Sequence, residues 1–185
     1  MIQDILGRVQ RLLLSPGAEW DAISGESANM GDIYKNYVLP LVVFSAVAGA
    51  VGTFMLGLNV GFVLRSLLVA VIVGAASVYL FALIIDALAP TFGGQKNAGQ
   101  ALKVAAYAPT AAWVASVFNI IPASRIFLLL GLYSLYLLYV GLPKLMHCPE
   151  DKALVYTIVI FVCAFVVAMI LTFLLVPLIV GASMF

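Results

Sequence analysis

The chain has 185 residues, 65% of them hydrophobic and 9% charged, with a mean hydropathy of +1.19 and a formal net charge of +1. A soluble domain is about half apolar and about a quarter charged, and one of this size leaves too much surface in water to hide the excess. These values exclude a soluble globular fold, and the small net charge without a basic cluster excludes a nucleic-acid partner.

The first 36 residues differ in kind from the rest. Ile2, Ile5, Leu6, Val9, Leu12 and Leu13 recur at helical spacing, with Gln3, Asp4, Arg8, Gln10 and Arg11 on the other face. This amphipathic pattern predicts a helix. Such a helix lies in a membrane interface or packs on the loops of the membrane domain, and both readings stay open. No secretory signal peptide is expected, because Asp4, Arg8 and Arg11 interrupt the first apolar stretch. Ser15-Pro16 ends that helix and opens a second one through Glu19, Trp20, Asp21 and Ile23. Arg8, Arg11 and Trp20 are the expected membrane-interface residues, with Trp20 at headgroup level.

A helix needs about 20 apolar residues to cross the hydrocarbon core. Five stretches satisfy this, with spans expected at 38–57, 63–89, 102–121, 125–145 and 154–181. The expected fold is therefore all-α, a polytopic bundle of about five transmembrane helices (37–185) preceded by a cytoplasmic, interfacial segment (1–36). Short links at Leu58–Gly61 and Pro122–Arg125 require antiparallel neighbours. Small residues at helical spacing, Ala48, Gly49 and Gly52 in one span and Ala70 and Gly74 in the next, predict close helix approach.

Arg8, Arg11, Lys35, Lys96, Lys103, Lys144 and Lys152 fall on one side of these spans, and Arg65 and Arg125 on the other. Lys/Arg excess marks the cytoplasmic face, so the N-terminus is expected inside and the C-terminus outside.

Residues able to do chemistry are few. Cys148 and Cys163 are too few for a disulfide framework, and the spacing of His147, Cys148, Glu150 and Asp151 matches no structural zinc pattern. No catalytic residue, metal site or cofactor is expected. The ionisable groups at the span ends are more informative, since a carboxylate in the membrane is costly unless paired or hydrated. Asp86 is expected to pair with Lys103 or Lys144, either to lock three helices together or to form a binding or proton-relay site. In span three, Tyr107, Pro109 and Asn119 are further binding candidates, and Pro109 should bend the helix. Tyr136 and Tyr139 of span four share a face. They serve either as packing and interface-belt residues or as part of a binding site.

The run Leu135–Met146, the following Pro149-Glu150-Asp151-Lys152-Ala153, the Tyr107-Ala108-Pro109 piece and the early Pro16…Glu19-Trp20-Asp21-Ala22-Ile23 segment together resemble bacterial members of the Yip family over nearly the whole chain. The resemblance implies five spans after a cytoplasmic N-terminus, in a bacterial inner (cytoplasmic) membrane. Eukaryotic members bind Rab GTPases and take part in vesicle traffic and membrane shaping. The long polar cytoplasmic domain of those relatives has no counterpart in the segment before span one, which argues against a GTPase partner. The expected function is non-enzymatic: association with itself or another membrane protein, and organisation or shaping of the lipid, with membrane lipids as partners. The alternative is a small transporter, channel or lipid scramblase using a polar track around Asp86, Lys103 and Tyr107.

Overall fold

The computed structural model describes residues 2–120 and 122–181, and their side chains except at 122–125, 128, 172 and 176–181. The side chain of Arg125, placed above on the outer side, and the last four residues fall outside that description. The described residues are helical with no strand. Five helical stretches are long and apolar enough to cross a membrane: Met30–Met55, Val60–Phe92, Ala98–Asn119, Leu129–Met146 and Glu150–Leu175.

Helix α1 runs over Ile2–Leu14 and α2 over Pro16–Gly25. A short α3, Met30–Ile33, starts where the Asn29 side chain accepts from the Gly31 and Asp32 amides. It continues through a π-helical turn, Tyr34–Val38, into α4, Leu39–Met55. The turn has a local cause. Pro40 has no N–H for the carbonyl one turn before it, and the ladder resets with the Leu39 amide on the Tyr34 carbonyl. The helix that carries the first span therefore begins at Met30.

Asn59 caps α5, Val60–Leu88, by accepting from the Phe62 amide. Asn97 caps α6, Ala98–Tyr107, in the same way through the Gln100 amide. Polar caps of this kind satisfy amides that have no partner in the first turn of a helix. Ala108–Pro109 then interrupts the third span before α7, Thr110–Ala115, as the missing proline N–H requires. Tightly wound turns over Ser116–Asn119 and Pro122–Leu132 lead into α8, Tyr133–Met146. The last span is α9, Glu150–Gly181.

Helix α5 is the spine, packed against α4, α6 and α9. Small residues permit two close approaches. A Cβ at Gly74 would come within 2.7 Å of Val42, and one at Gly52 would strike the Asn119 carbonyl. Gly49, expected to do the same, has nothing within 4 Å of its Cβ position.

On α5 the charged residues Arg65 and Asp86 stand about 32 Å apart along the axis at 1.5 Å per residue. That matches a hydrocarbon core of about 30 Å. The end of the bundle at Asp86 also carries Lys103, Lys144 and Lys152, and the Gln95 amide joins it to the Met146 carbonyl there. We call it the basic end. Outward-facing surfaces of α5 and α9 are apolar, with Leu68, Ile72, Ile158 and Phe165 all exposed.

Candidate functional site

Helices α1 and α2 form a hairpin around Ser15, and ion pairs fasten one to the other. Arg11 donates from Nε and Nη2 to Glu19 at 2.6 and 3.2 Å. Arg8 donates to both oxygens of Glu26 at 3.0 and 2.6 Å, and its Nε lies 3.7 Å from Glu19. Planar guanidinium–carboxylate pairs of this kind are the strong charge-assisted class.

The hairpin stands along the bundle. Three contacts fix its direction beside α8. Near the turn, the Tyr133 hydroxyl donates to the Leu13 carbonyl at 3.1 Å. Further down, the Trp20 indole packs on Gly141, where a Cβ would come within 2.8 Å of the ring. At the basic end Lys144 pairs with Asp21. α2 therefore runs parallel to α8, and the Ser15 turn sits about 9 Å along α2 from Asp21, the partner of Lys144. Trp20 is fully buried, with Ile23 and Leu12 beside it in the core. The indole expected at headgroup level faces protein, because the gap left by Gly141 accommodates it.

The helices on the other side receive the hairpin through Lys103 and Tyr107. The Lys103 side chain is 2% exposed, and its ammonium donates to the carbonyls of Ile23 at 2.9 Å, Ser24 at 3.4 Å and Glu26 at 2.5 Å. These carbonyls end α2, and a cation is favoured at a helix C-terminus. Tyr107 carries the Arg8 guanidinium 5.2 Å from its ring centre and the Tyr37 ring at 4.6 Å. Tyr37 in turn shares a hydrogen bond of 2.8 Å with Thr110, just past the Pro109 break. A cavity of about 690 Å³ opens between these groups and the start of the first span.

Asp86 does not join this cluster. No ion pair connects it to Lys103 or Lys144 among the described residues, which corrects the expected three-helix lock: Lys103 is committed to backbone carbonyls and Lys144 to Asp21. Its Oδ1 is buried without a hydrogen-bond partner, on the side of α5 near Tyr156. Tyr156 donates to the Ile85 carbonyl and stacks on Phe92 with ring centres 4.8 Å apart. Asn119 lies at the far end of span three against Gly52. Tyr136 and Tyr139 face outwards and are exposed, bordering an apolar groove with Leu154 and Phe161. Of the binding candidates, Lys103, Tyr107 and Lys144 meet the hairpin, and Asp86, Asn119, Tyr136 and Tyr139 lie elsewhere. Among the described residues no hydrogen bond or ion pair links Asp86 to Lys103 or Tyr107.

Among the described residues no three His, Cys, Asp or Glu side chains gather closely enough to hold a metal. Burial raises the Cys148 thiol above its usual range and makes it a poor nucleophile.

Glu19, Glu26, Asp21, Tyr37 and Gly141 complete the cluster and were not singled out from the sequence. Their partners are far away in the chain or, for Glu19 and Glu26, lie across the Ser15 turn, so no helical spacing marks them.

With this arrangement in view, a family model described as the Yip1 domain matches residues 11–171. The chain belongs to the Yip1 family. The matched region takes in all of α2, the first four spans and the last span through residue 171, so Trp20, Lys103, Tyr107, Gly141 and Lys144 lie inside the Yip1 domain. No curated protein and no solved structure matches the chain.

Proposed function

We propose that this Yip1-family protein is a non-enzymatic integral membrane protein that deforms and organises the bilayer around it, with lipid as its principal partner. One observation carries the reading. The Arg11–Glu19 pair lies on the inner side of the Asp21–Lys144 contact, about half a helical turn back along α2, within the slab bounded by Arg65 and Asp86. Arg11 is 55% exposed there. Charged groups at that depth draw water and headgroups inward and thin the leaflet.

The same hairpin presents an apolar row to its surroundings. Ile2, Leu6 and Leu14 are exposed, with Leu14 at 72%, while Ile5 and Leu12 on the opposite side are buried. An amphipathic element added to one leaflet occupies area there and favours curvature. Following the Lys/Arg excess, we assign the basic end to the cytoplasmic side. The resemblance to bacterial members supports an inner-membrane location. Self-association, or association with another membrane protein, would gather several hairpins and add their effects.

The test is reconstitution into liposomes at increasing protein-to-lipid ratio, with vesicle diameter read by electron cryomicroscopy. The full chain should narrow or tubulate vesicles, and a Trp20→Ala, Leu6→Gln variant should do so much less. Vesicles of unchanged diameter at all ratios would refute the reading.

A further inference from the structure

The cavity beside the hairpin has a lining whose charges are unequally committed. It is bounded by α1, the link after α2, the start of the first span and α6. Three carboxylates, Asp4, Glu26 and Asp32, line it against two cations, Arg8 and Lys103. Both cations are already engaged, Arg8 by Glu26 and Lys103 by three carbonyls. An entering anion would have to break those bonds and would meet carboxylates in their place. The Asp32 carboxylate and the Asn36 amide make no hydrogen bond or ion pair among the described residues, and both are exposed at the rim. Tyr37 and Tyr107 supply aromatic wall, and Tyr107 already holds one cation on its ring. Aromatic faces suit a cation, and a carboxylate beside them favours one with N–H donors.

The rim also lies where a headgroup can reach it. Asp32 stands at the beginning of the first span, at the basic end. Lys35 follows three residues later, exposed, without a salt bridge to Asp32 or to any other described residue. It lies outside the cavity lining, within one turn of Asp32 along the same continuous helix. An ammonium at Asp32 and a phosphate at Lys35 is the charge order of a phosphoethanolamine group.

We infer that this cavity binds a primary ammonium, the amine end of an aminophospholipid headgroup, with Asp32 as its counter-ion and Asn36 and Tyr37 beside it. Free ethanolamine carries the same chemistry. The inference stands apart from bilayer shaping, since it needs only that the basic end meets a headgroup layer.

The experiment uses the full chain in nanodiscs containing equal amounts of phosphatidylethanolamine and phosphatidylcholine, followed by native mass spectrometry of the lipid that stays bound on release. The two headgroups differ in the N–H donors, which the trimethylated amine lacks. Wild type should retain phosphatidylethanolamine about tenfold over phosphatidylcholine, the scale of one charge-assisted hydrogen bond. Asp32→Asn should bring the ratio close to that of the bulk lipid, and Asp32→Glu should restore most of it. Should Asp32→Asn fail to fold, Asn36→Asp is read instead and should raise the ratio. If millimolar ethanolamine displaces the retained lipid, the site also accepts the free amine. If it does not, recognition requires the lipid. A bulk ratio in wild type, a ratio unchanged in Asp32→Asn, or one unchanged in Asn36→Asp where that variant is read, overturns the inference.

Discussion

Trp20 and Gly141 meet as ring against backbone, and a Cβ at 141 would lie 2.8, 2.9 and 3.1 Å from three atoms of the indole. The ring is fully buried, so it cannot swing aside into solvent. This contact decides how the hairpin stands beside α8.

Gly141→Ala therefore sets two effects against each other. Alanine in place of glycine gains about 1 kcal/mol of helix propensity, and forcing a methyl into a packed rigid ring costs about 1–3 kcal/mol. The clash wins, with a net loss of about 1 kcal/mol, and Gly141→Leu loses several times more. Thermal unfolding in detergent should show a fall in Tm of about 2–4 °C for alanine. A rise in Tm would show that the indole is not held against the helix.

Trp20→Ala removes the largest buried side chain of the hairpin, a change worth about 3–5 kcal/mol in a packed core. The spans should remain folded while the hairpin detaches. Protease should then cut within residues 14–30 at a rate at least tenfold above wild type, and the membrane domain should survive the digestion. Equal rates would mean that the hairpin is held by something other than this ring.

Lys103→Met keeps the length of the side chain and removes the ammonium from three carbonyls. Ile23 and Ser24 keep other donors, the Glu26 amide and the Gln100 side chain, so the loss falls chiefly on the Glu26 carbonyl and costs about 1–3 kcal/mol. Hydrogen exchange should accelerate in α2 and the following link, residues 20–29, with little change in α5. Exchange that is unchanged in α2 would contradict the capping role.

Asp86→Asn is expected to be nearly silent. The carboxylate has no ion-pair partner among the described residues and one oxygen is buried without a donor, so neutralising it removes a desolvation cost and no bond. Tm should stay within about 2 °C of wild type or rise. A large fall would reinstate an ion-pair lock at this position.

The spans were legible because a membrane demands long apolar runs, and five of them stand between polar links. The Pro109 break was legible too, since a missing N–H acts locally. The hairpin was not. The periodicity of α1 fits a lipid interface as well as a protein surface, and nothing in residues 2–14 says that Ile5 and Leu12 turn inward while Ile2, Leu6 and Leu14 stay out. That choice is made by Gly141 and Tyr133, more than a hundred residues further along the chain. Lys103 misled for a related reason. A lysine at a span end suggests a carboxylate partner, but its acceptors are backbone carbonyls, which every residue carries and no sequence pattern marks.

The central claim is that the hairpin descends into one leaflet, and depth can be measured directly. Spin labels would be placed singly at Ile2, Leu6 and Leu14, all exposed positions, in the full chain in nanodiscs. Accessibility to oxygen and to a water-soluble nickel complex would then be compared. The account predicts a gradient, with oxygen access rising and nickel access falling from Ile2 to Leu14, so that the Leu14 label reads as the deepest. Three labels at one shallow depth would mean a helix lying flat on the surface, and three labels equally open to nickel a hairpin in water; either contradicts the account.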